Sequence, residues 1–266
     1  MPSHISSPAL PPGLRARVAA LHPGAPAGVL SFGDVRVDVH LGGGLALGQL
    51  HEIGAVGLDA ETGAIAAAFL ACLLARLPDT ERAILWIAPV CDLYPPGLPA
   101  YGLDPARLVL VQTANDAETL QAMETALRAG GAAAVVGEVG RLVRLPGRRL
   151  QLACGKRGTT GFVLRRWPYG RKRPGKQHAK QEGNAAATRW RLSPEPSEVE
   201  PVAIPREPGP PRWRVELLHA RGGRPGAWIM EKEEAEDATE THPFRVVAAL
   251  ADDPAASPAA GLRAAG

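Results

Sequence analysis

The chain has 266 residues, of which 45% are hydrophobic, and a formal net charge of +3 at pH 7. This length and hydrophobic content allow one medium-sized domain with extensions and exclude a wholly disordered chain. The three cysteines, Cys72, Cys91 and Cys154, are far apart, which excludes a disulfide framework and a CxxC-type zinc site. The longest apolar run, residues 64–75, is too short to cross a bilayer. We therefore expect a soluble cytoplasmic protein that uses no metal, cofactor or membrane.

The first predicted elements lead up to a glycine-bearing turn. Residues 1–30 are rich in proline and alanine and are predicted to form a flexible N-terminal segment. The alternating pattern of Val35–His40 predicts a half-buried strand, and Gln49–Ile53 predicts a short strand before the turn. The apolar stretch Thr62–Leu77, which Pro78 ends, predicts a helix.

Short apolar runs then alternate with helical segments. The strands predicted to be buried on both faces are Ala83–Ala88, Leu108–Gln112, Ala132–Gly137 and Gly161–Arg165. The helices predicted between them are 116–128 and 148–156. Strands that alternate with helices predict an α/β fold with a mainly parallel sheet and right-handed crossovers. Thr188–Leu192 adds one more strand and completes a predicted core over residues 31–192.

A basic segment interrupts this core at residues 166–187 and is predicted to be a mobile loop. Residues 165–191 hold nine Lys or Arg and a single acid, Glu182. Cations track phosphates and aromatic rings stack on bases, so the segment is a candidate for binding single-stranded DNA. An acidic protein surface and a solvated insertion without a ligand are the alternatives. The candidate DNA-binding residues are Arg165, Arg166, Trp167, Tyr169, Arg171, Lys172, Arg173, Lys176 and Lys180.

The C-terminal part is predicted to consist of a spacer, a hairpin and a tail. Residues 193–211 are rich in proline and glutamate, and 212–231 read as a β-hairpin. Residues 232–266 are acidic, then rich in alanine and proline, and are predicted to be disordered. The hairpin offers a strand edge that a partner chain can extend; the alternative is that it only completes the core sheet. The candidate partner-binding residues are Trp213, Arg221, Arg224 and Trp228. For Trp213, packing of the ring within the sheet is the alternative.

The glycines around residues 42–57 have the layout of a phosphate-binding loop, in which backbone N–H groups and a helix N-terminus hold a polyphosphate. Such a loop needs a lysine for the outer phosphates and a serine or threonine for magnesium. Residues 54–77 contain no lysine, and Asp59 and Glu61 stand beside the turn. Gly54 and Gly57 are therefore predicted to be a vestigial nucleotide loop without catalytic residues.

Glu138 follows the third apolar strand, and we assign it to the same vestigial nucleotide loop site as Gly54 and Gly57. We expect it to be a hydrogen-bonded residue at a strand end. The alternative is a carboxylate that holds a metal or a water molecule.

The order of these elements resembles the RecA recombinase core. The stretch Gly-Gly-Leu-Ala-Leu-Gly-Gln-Leu-His-Glu-Ile at 43–53 is similar to the RecA turn and strand before its phosphate loop, and 134–138 stands where RecA carries its Walker B strand. The position that matches the catalytic glutamate of RecA is Val90. The resemblance implies a RecA-like P-loop NTPase core with a degenerate nucleotide loop and a C-terminal β-hairpin.

The chain resembles still more closely the ImuA family, the RecA-like accessory proteins of bacterial mutagenesis cassettes. The similar motifs lie at 42–52, 93–98, 148–153, 185–191, 213–218 and 221–226. The resemblance implies a non-catalytic adaptor in DNA-damage-induced (SOS), error-prone translesion synthesis. Its implied partners are an ImuB-like Y-family protein and an error-prone C-family polymerase, with RecA and single-stranded DNA as further candidates. The alternatives are a regulator of RecA filaments, a cell-division inhibitor of the damage response, and an active RecA-type ATPase.

Overall fold

A computed structural model of the chain describes residues 28–57, 59–166, 185–197, 209–233 and 244–250. The strands are β1 Val29–Leu30, β2 Leu45–Ala46, β3 Leu50–Ala55, β4 Ile84–Ala88, β5 Leu108–Gln112, β6 Ala134–Val139, β7 Thr160–Arg165, β8 Thr188–Glu195, β9 Arg212–Ala220, β10 Gly226–Lys232 and β11 Phe244–Leu250. The helices are α1 Val35–His40, α2 Asp59–Ala75, α3 Asp116–Ala129 and α4 Arg144–Arg157, with 3₁₀ helices at Pro95–Tyr101 and Pro105–Arg107. No described helix is both long and apolar enough to cross a membrane.

Nine of the described strands form one mixed sheet in the order β11-β10-β9-β8-β3-β7-β6-β4-β5. The six strands from β8 to β5 pair in parallel, and β9, β10 and β11 extend the sheet by antiparallel pairing. The predicted α/β fold with a large, mainly parallel sheet is therefore confirmed. Strand β3, which precedes the glycine turn, lies in the middle of the sheet.

Each face of the sheet carries its own hydrophobic core. On one face, α2 packs with an aromatic cluster in which the ring centroids of Phe69 and Phe244 lie 4.8 Å apart and those of Phe69 and Trp213 lie 5.9 Å apart. On the other face, Leu127 of α3 and Leu150 of α4 share a core with Val135 and Val163 of the sheet. Helix α2 is apolar nearly all round because it packs against the sheet and against the 3₁₀ helix Pro95–Tyr101, so little of it meets water.

Two predicted strands differ from the structure. Val35–His40 is helix α1, not a strand, because Asp34 caps its N-terminus by accepting a 2.9 Å hydrogen bond from the Arg36 N–H. The cap outweighs the β propensity of three valines. Leu108–Gln112 is a strand, but it is not buried on both faces. It forms the edge of the sheet, and Val109 and Leu110 are exposed there.

The opposite edge of the sheet is β11, which lies inside the tail predicted to be disordered. That prediction is wrong for Phe244–Leu250. Because β10 pairs with both β9 and β11, the hairpin β9–β10 lies within the sheet and offers no free edge. The parts of the predicted N-terminal segment, basic loop, spacer and tail that fall at 1–27, 167–184, 198–208, 234–243 and 251–266 lie outside the described residues.

The edge of β11 is closed by residues that precede and begin α1. The N–H of Val246 donates to the Asp34 carboxylate at 2.8 Å, and the Arg36 guanidinium donates to the Val246 carbonyl. The N–H of Phe244 donates to the Phe32 carbonyl at 3.2 Å. Side chains and backbone of residues 32–36 thus take the place of a further strand, which protects the edge from pairing with other chains.

The contribution of Asp34 to the stability of the fold depends on pH. Hydrogen bonds from the Arg36 side chain, and then from backbone N–H groups, lower the pKa of Asp34 from its usual 3.8 to about 2, although burial opposes them. A carboxyl whose pKa is lower in the folded than in the unfolded state stabilises the fold above its unfolded pKa, and this contribution is lost as the pH falls through its folded pKa. The shift corresponds to about 2 kcal/mol at neutral pH.

We predict that Asp34→Asn lowers the free energy of unfolding by about 1–2 kcal/mol at pH 7, because the charged bonds to Arg36 and Val246 weaken. The difference from the wild type should shrink between pH 4 and pH 2, where Asp34 itself becomes protonated. Chemical denaturation at a series of pH values measures both quantities. A difference that stays constant down to pH 2 would show that the carboxylate charge is not what closes the edge.

Candidate functional site

The carboxyl ends of the parallel strands β3, β4, β6 and β7 meet at one edge of the sheet. Ligands of open α/β sheets bind at this edge, because loops and helix N-termini converge there. The predicted loop residues Gly54 and Gly57 lie at the end of β3, and Glu138 lies near the end of β6. Asp92 follows β4, and Arg165 and Arg166 are at the end of β7. The edge is therefore the candidate site.

The connection between β3 and α2 is short. Strand β3 ends at Ala55 and α2 begins at Asp59, so three residues join them. Gly57 has a φ of 108°, which suits glycine in a tight turn. Gly54 is part of β3 itself, where it pairs with Arg165 on one side and Arg191 on the other. Gly57 therefore makes the strand-to-helix turn, whereas Gly54 is part of the sheet.

Glu138 is buried and held by two donors. The Trp86 Nε1–H donates to one carboxylate oxygen at 2.8 Å, and Arg166 Nη1 donates to the other at 3.1 Å. Burial raises the pKa of Glu138, while the Arg166 charge and the Trp86 hydrogen bond oppose that rise. Glu138 is thus hydrogen-bonded at the end of a strand, as expected. Among the described residues, no group of three or more His, Cys, Asp or Glu is placed to hold a metal ion.

Arg166 connects Glu138 to a second carboxylate. Its Nη1 and Nη2 donate to the two oxygens of Asp92 at 2.8 and 2.9 Å, a bidentate pair. The guanidinium is buried whereas Asp92 is partly exposed. Arg166 therefore lies between Asp92 and Glu138 and joins the ends of β4, β6 and β7.

A second ion cluster lies on β3. The Glu52 carboxylate is buried, with Arg165 Nη1 at 3.2 Å from one oxygen and Arg189 Nε at 3.3 Å from the other. Glu52 stands in the middle of β3, and these two arginines balance its buried charge. Of the candidate DNA-binding residues, Arg165 and Arg166 are the two in the described part of the chain, and both are engaged in ion pairs within the protein.

His51 forms a buried network next to Glu52. Its Nε2 donates to the Ala46 carbonyl at 2.8 Å, and its Nδ1 accepts from the Thr188 hydroxyl at 2.8 Å. Trp190 Nε1 donates to the same hydroxyl at 2.7 Å. Burial lowers the pKa of His51 to about 4, so the ring is neutral at physiological pH. Both ring nitrogens have partners, and the histidine ties β2, β3 and β8 together.

Exposed apolar side chains surround the buried ion pairs at this edge. Val56 follows β3, and Val90 and Tyr94 follow β4; all three are exposed. Cys91, beside them, is also exposed, and burial raises the pKa of its thiol, which keeps it protonated. An apolar rim around satisfied charges is suited to contact with a protein surface.

Of the four predicted partner-binding residues of the hairpin, two are buried and two are exposed. Trp213 and Trp228 are only 2% and 4% exposed, so the prediction that they contact a partner is wrong; they belong to the aromatic core. Arg221 is exposed and donates to the Ala185 carbonyl at 2.8 Å. Arg224 is exposed, and its carbonyl accepts a 3.0 Å hydrogen bond from His40.

Several residues that build the site carried no signal in the sequence. Asp92 stands in a proline-rich loop, Trp86 in an apolar strand, and Arg189 and His51 in other strands. Their roles depend on strand order, since β4 and β6 are neighbours but are separated in sequence by β5 and α3. The remaining DNA candidates lie outside the described residues: Trp167, Tyr169, Arg171, Lys172, Arg173, Lys176 and Lys180.

Comparisons with known proteins identify relatives of the whole chain. It is 47% identical over 240 residues to the protein ImuA of Caulobacter vibrioides, in strains NA1000 and CB 15, and the match covers 90% of this chain and 96% of the relative. Residues 53–161 match the family model of the cell division inhibitor SulA. The crystal structure of SulA from Pseudomonas aeruginosa aligns with 26% identity and a TM-score of 0.37, over 44% of this chain and 96% of that chain.

We predict that Arg166→Met lowers the free energy of unfolding by about 3 kcal/mol, because it leaves Glu138 as a buried charge without its cation. Adding Glu138→Gln should return at least about 1 kcal/mol, since the amide still accepts from Trp86. The single change Asp92→Asn is the matched control and should cost less than about 1 kcal/mol, because Asp92 is partly exposed.

The loss in Arg166→Met should also shrink when the pH falls from 7 to 5. Without Arg166 the pKa of Glu138 rises further, and a protonated Glu138 carries no charge to bury. Urea denaturation of the four proteins at both pH values checks this. Additive losses in the double variant, or no change with pH, would contradict the role given to the Arg166–Glu138 pair.

Proposed function

Because this chain belongs to the ImuA family, we propose that it is a non-catalytic adaptor in DNA-damage-induced, error-prone translesion synthesis. It joins an ImuB-like Y-family protein to an error-prone C-family polymerase, and it does so without binding or hydrolysing a nucleotide. The observation that carries this proposal is the Asp92–Arg166–Glu138 cluster, which occupies the carboxyl edge of the sheet with charges of the protein itself.

Electrostatics oppose a nucleotide at this edge. Arg166 donates to Glu138 near the end of β6, and it is already shared between Asp92 and Glu138. If Arg166 turned to a phosphate, Glu138 would stay buried and unpaired, at a cost of about 3–5 kcal/mol. Asp92 would then repel the phosphate at short range. The three-residue turn after β3 offers few N–H groups in compensation.

We propose further that the core is a RecA-like fold in which ion pairs and hydrogen bonds within the protein have replaced the nucleotide site. Three features support this: the central strand β3 that leads through a glycine turn into α2, the parallel strands on both sides of β3, and the carboxylate Glu138 near the end of β6. In an active enzyme of this kind, the turn supplies a lysine and the β6 carboxylate assists a metal ion. Here Glu138 serves Trp86 and Arg166 instead.

The same edge supplies a surface for the proposed partners. Val56, Val90 and Tyr94 are exposed around the ion cluster, and exposed aromatic and aliphatic side chains are typical of the central part of protein interfaces. The basic residues 167–184, whose charge is evident from the sequence, follow directly after Arg166.

We predict that the adaptor activity does not depend on nucleotide. With the ImuB-like protein immobilised, the C-family polymerase should be retained only when this chain is added. The amount retained should be the same without nucleotide, with ADP and with ATP and magnesium, because no nucleotide contact takes part. A polymerase that binds equally well without this chain, or one that binds only with ATP, would contradict the proposal.

A second candidate function, inhibition of cell division, is favoured by the match of residues 53–161 to the SulA family model. The matched region contains α2, α3 and α4 and the strands β4, β5 and β6. Expression of the chain in undamaged bacteria separates the two functions. An adaptor leaves cell length unchanged, whereas a division inhibitor produces filaments. Filaments that form without DNA damage would favour the second function.

A further inference from the structure

Helix α4 has an outer face that neither candidate function uses. Leu145 and Leu152 lie on it, and they are 71% and 67% exposed. Two leucines that leave this much apolar surface in water on one helix form a local apolar patch that another molecule can cover. They are seven residues apart, so they lie on the same side of the helix, about 10 Å from each other.

The inner face of α4 is already fixed to the core. Leu150, Ala153 and Cys154 are buried on the β3–β7 side of the helix. The Gln151 side chain accepts from the Leu50 N–H at 3.1 Å and donates to Gln49 Oε1 at 2.6 Å. The helix therefore cannot rotate its exposed leucines inward without losing these contacts.

The charge of α4 is entirely positive. Its fourteen residues contain five cations, Arg144, Arg148, Arg149, Lys156 and Arg157, and no acid. Arg149 pairs with Glu124 of α3 at 2.6 Å. Arg144, Arg148 and Lys156 form no ion pair within the described part of the chain.

The positions of these cations define one surface. At about 100° per residue, Leu145, Leu152 and Lys156 fall within about 40° of one another on the helix circumference, with Arg148 on one flank and Arg149 on the other. Lys156 is in line with the leucines, one turn beyond Leu152, and Arg148 is beside them. This arrangement is complementary to a segment that combines an apolar stripe with acidic side chains. We name Leu145, Arg148, Leu152 and Lys156 the α4 face.

We propose that the α4 face binds an acidic amphipathic helix of a partner protein. The spacing of seven residues between the leucines matches the heptad period at which helices pack side by side. Charge argues against a second copy of the chain, since a two-fold contact would bring the same cations together. The central leucines argue against a nucleic acid, because phosphates would contact the cations and leave the leucines exposed.

The test uses the full chain and a fluorescent synthetic peptide of about three heptads, with leucine at the seam positions and glutamate elsewhere. Peptides with lysine in place of glutamate, or serine in place of leucine, are the probe controls. The double variant Leu145→Ser/Leu152→Ser removes the apolar centre, and Arg148→Glu/Lys156→Glu reverses the charge. Val35→Ser/Val39→Ser is the matched control, since these valines are equally exposed but lie on α1.

We expect the acidic leucine peptide to bind with micromolar affinity and both control peptides to bind at least tenfold more weakly. Each α4 double variant should weaken binding at least tenfold, because two apolar contacts or two charge pairs are lost. The α1 control should bind as the wild type does. All variant sites are exposed, so equal thermal unfolding midpoints exclude a folding defect.

Equal peptide affinity in the wild type and the leucine variant would overturn the proposal. The same holds if the lysine peptide binds as tightly as the acidic one. Oligothymidylate and vesicles containing phosphatidylglycerol are the competing ligands. If either loses affinity in the α4 variants while the acidic peptide does not, the face belongs to a nucleic acid or a membrane surface instead. These outcomes are independent of nucleotide and of the polymerase.

Discussion

The architecture of the candidate site depends on the buried guanidinium of Arg166. Arg166 directly follows β7. Its side chain donates to Asp92, in the loop after β4, and to Glu138, on β6, so one side chain connects the ends of three strands. A buried carboxylate such as Glu138 is stable only with a partner of opposite charge or with a proton. Arg166 supplies that charge, and in doing so it fills the position at which α/β proteins of this layout bind ligands.

The two edge strands of the sheet, β11 and β5, differ in how far other residues cover them. At the β11 end, Asp34 and Arg36 satisfy the backbone of Val246 and close the edge. At the β5 end, Val109 and Leu110 remain exposed. The interior between them is fixed by two aromatic and aliphatic cores and by buried polar networks around His51 and Glu52. The surfaces that remain open to other molecules are therefore the β5 edge, the rim around Asp92 and the outer faces of the helices.

The sequence predicted the type of fold well because its signals are local. Apolar runs of five or six residues gave the parallel strands, and the missing lysine after Gly54 indicated a turn without nucleotide chemistry. The elements that were not predicted correctly depend on residues far away in the sequence or on a single capping residue. Helix α1 is short enough for one cap at Asp34 to decide it, and β11 is a strand because β10 is beside it. The exposure of β5 follows from strand order, which no local pattern encodes.

The site was only partly readable for the same reason. Glu138 was recognisable as a strand-end acid, but its partners Trp86 and Arg166 lie 52 and 28 residues away in sequence. Arg166 was read as a DNA contact because it borders a basic segment, whereas its guanidinium is turned into the protein. Trp213 and Trp228 were read as partner contacts, yet an aromatic residue on an amphipathic strand is as suited to the core as to a surface.

The central claim is that the carboxyl edge is closed by the protein's own charges and holds no nucleotide. Thermal unfolding of the full chain with and without millimolar ATP and magnesium tests it most directly, because a ligand that binds the folded state raises the unfolding midpoint. We predict the same unfolding midpoint with and without ATP and magnesium. A rise of several degrees, saturating with micromolar affinity and abolished by Arg166→Met, would show that Arg166 binds phosphate and would contradict the account.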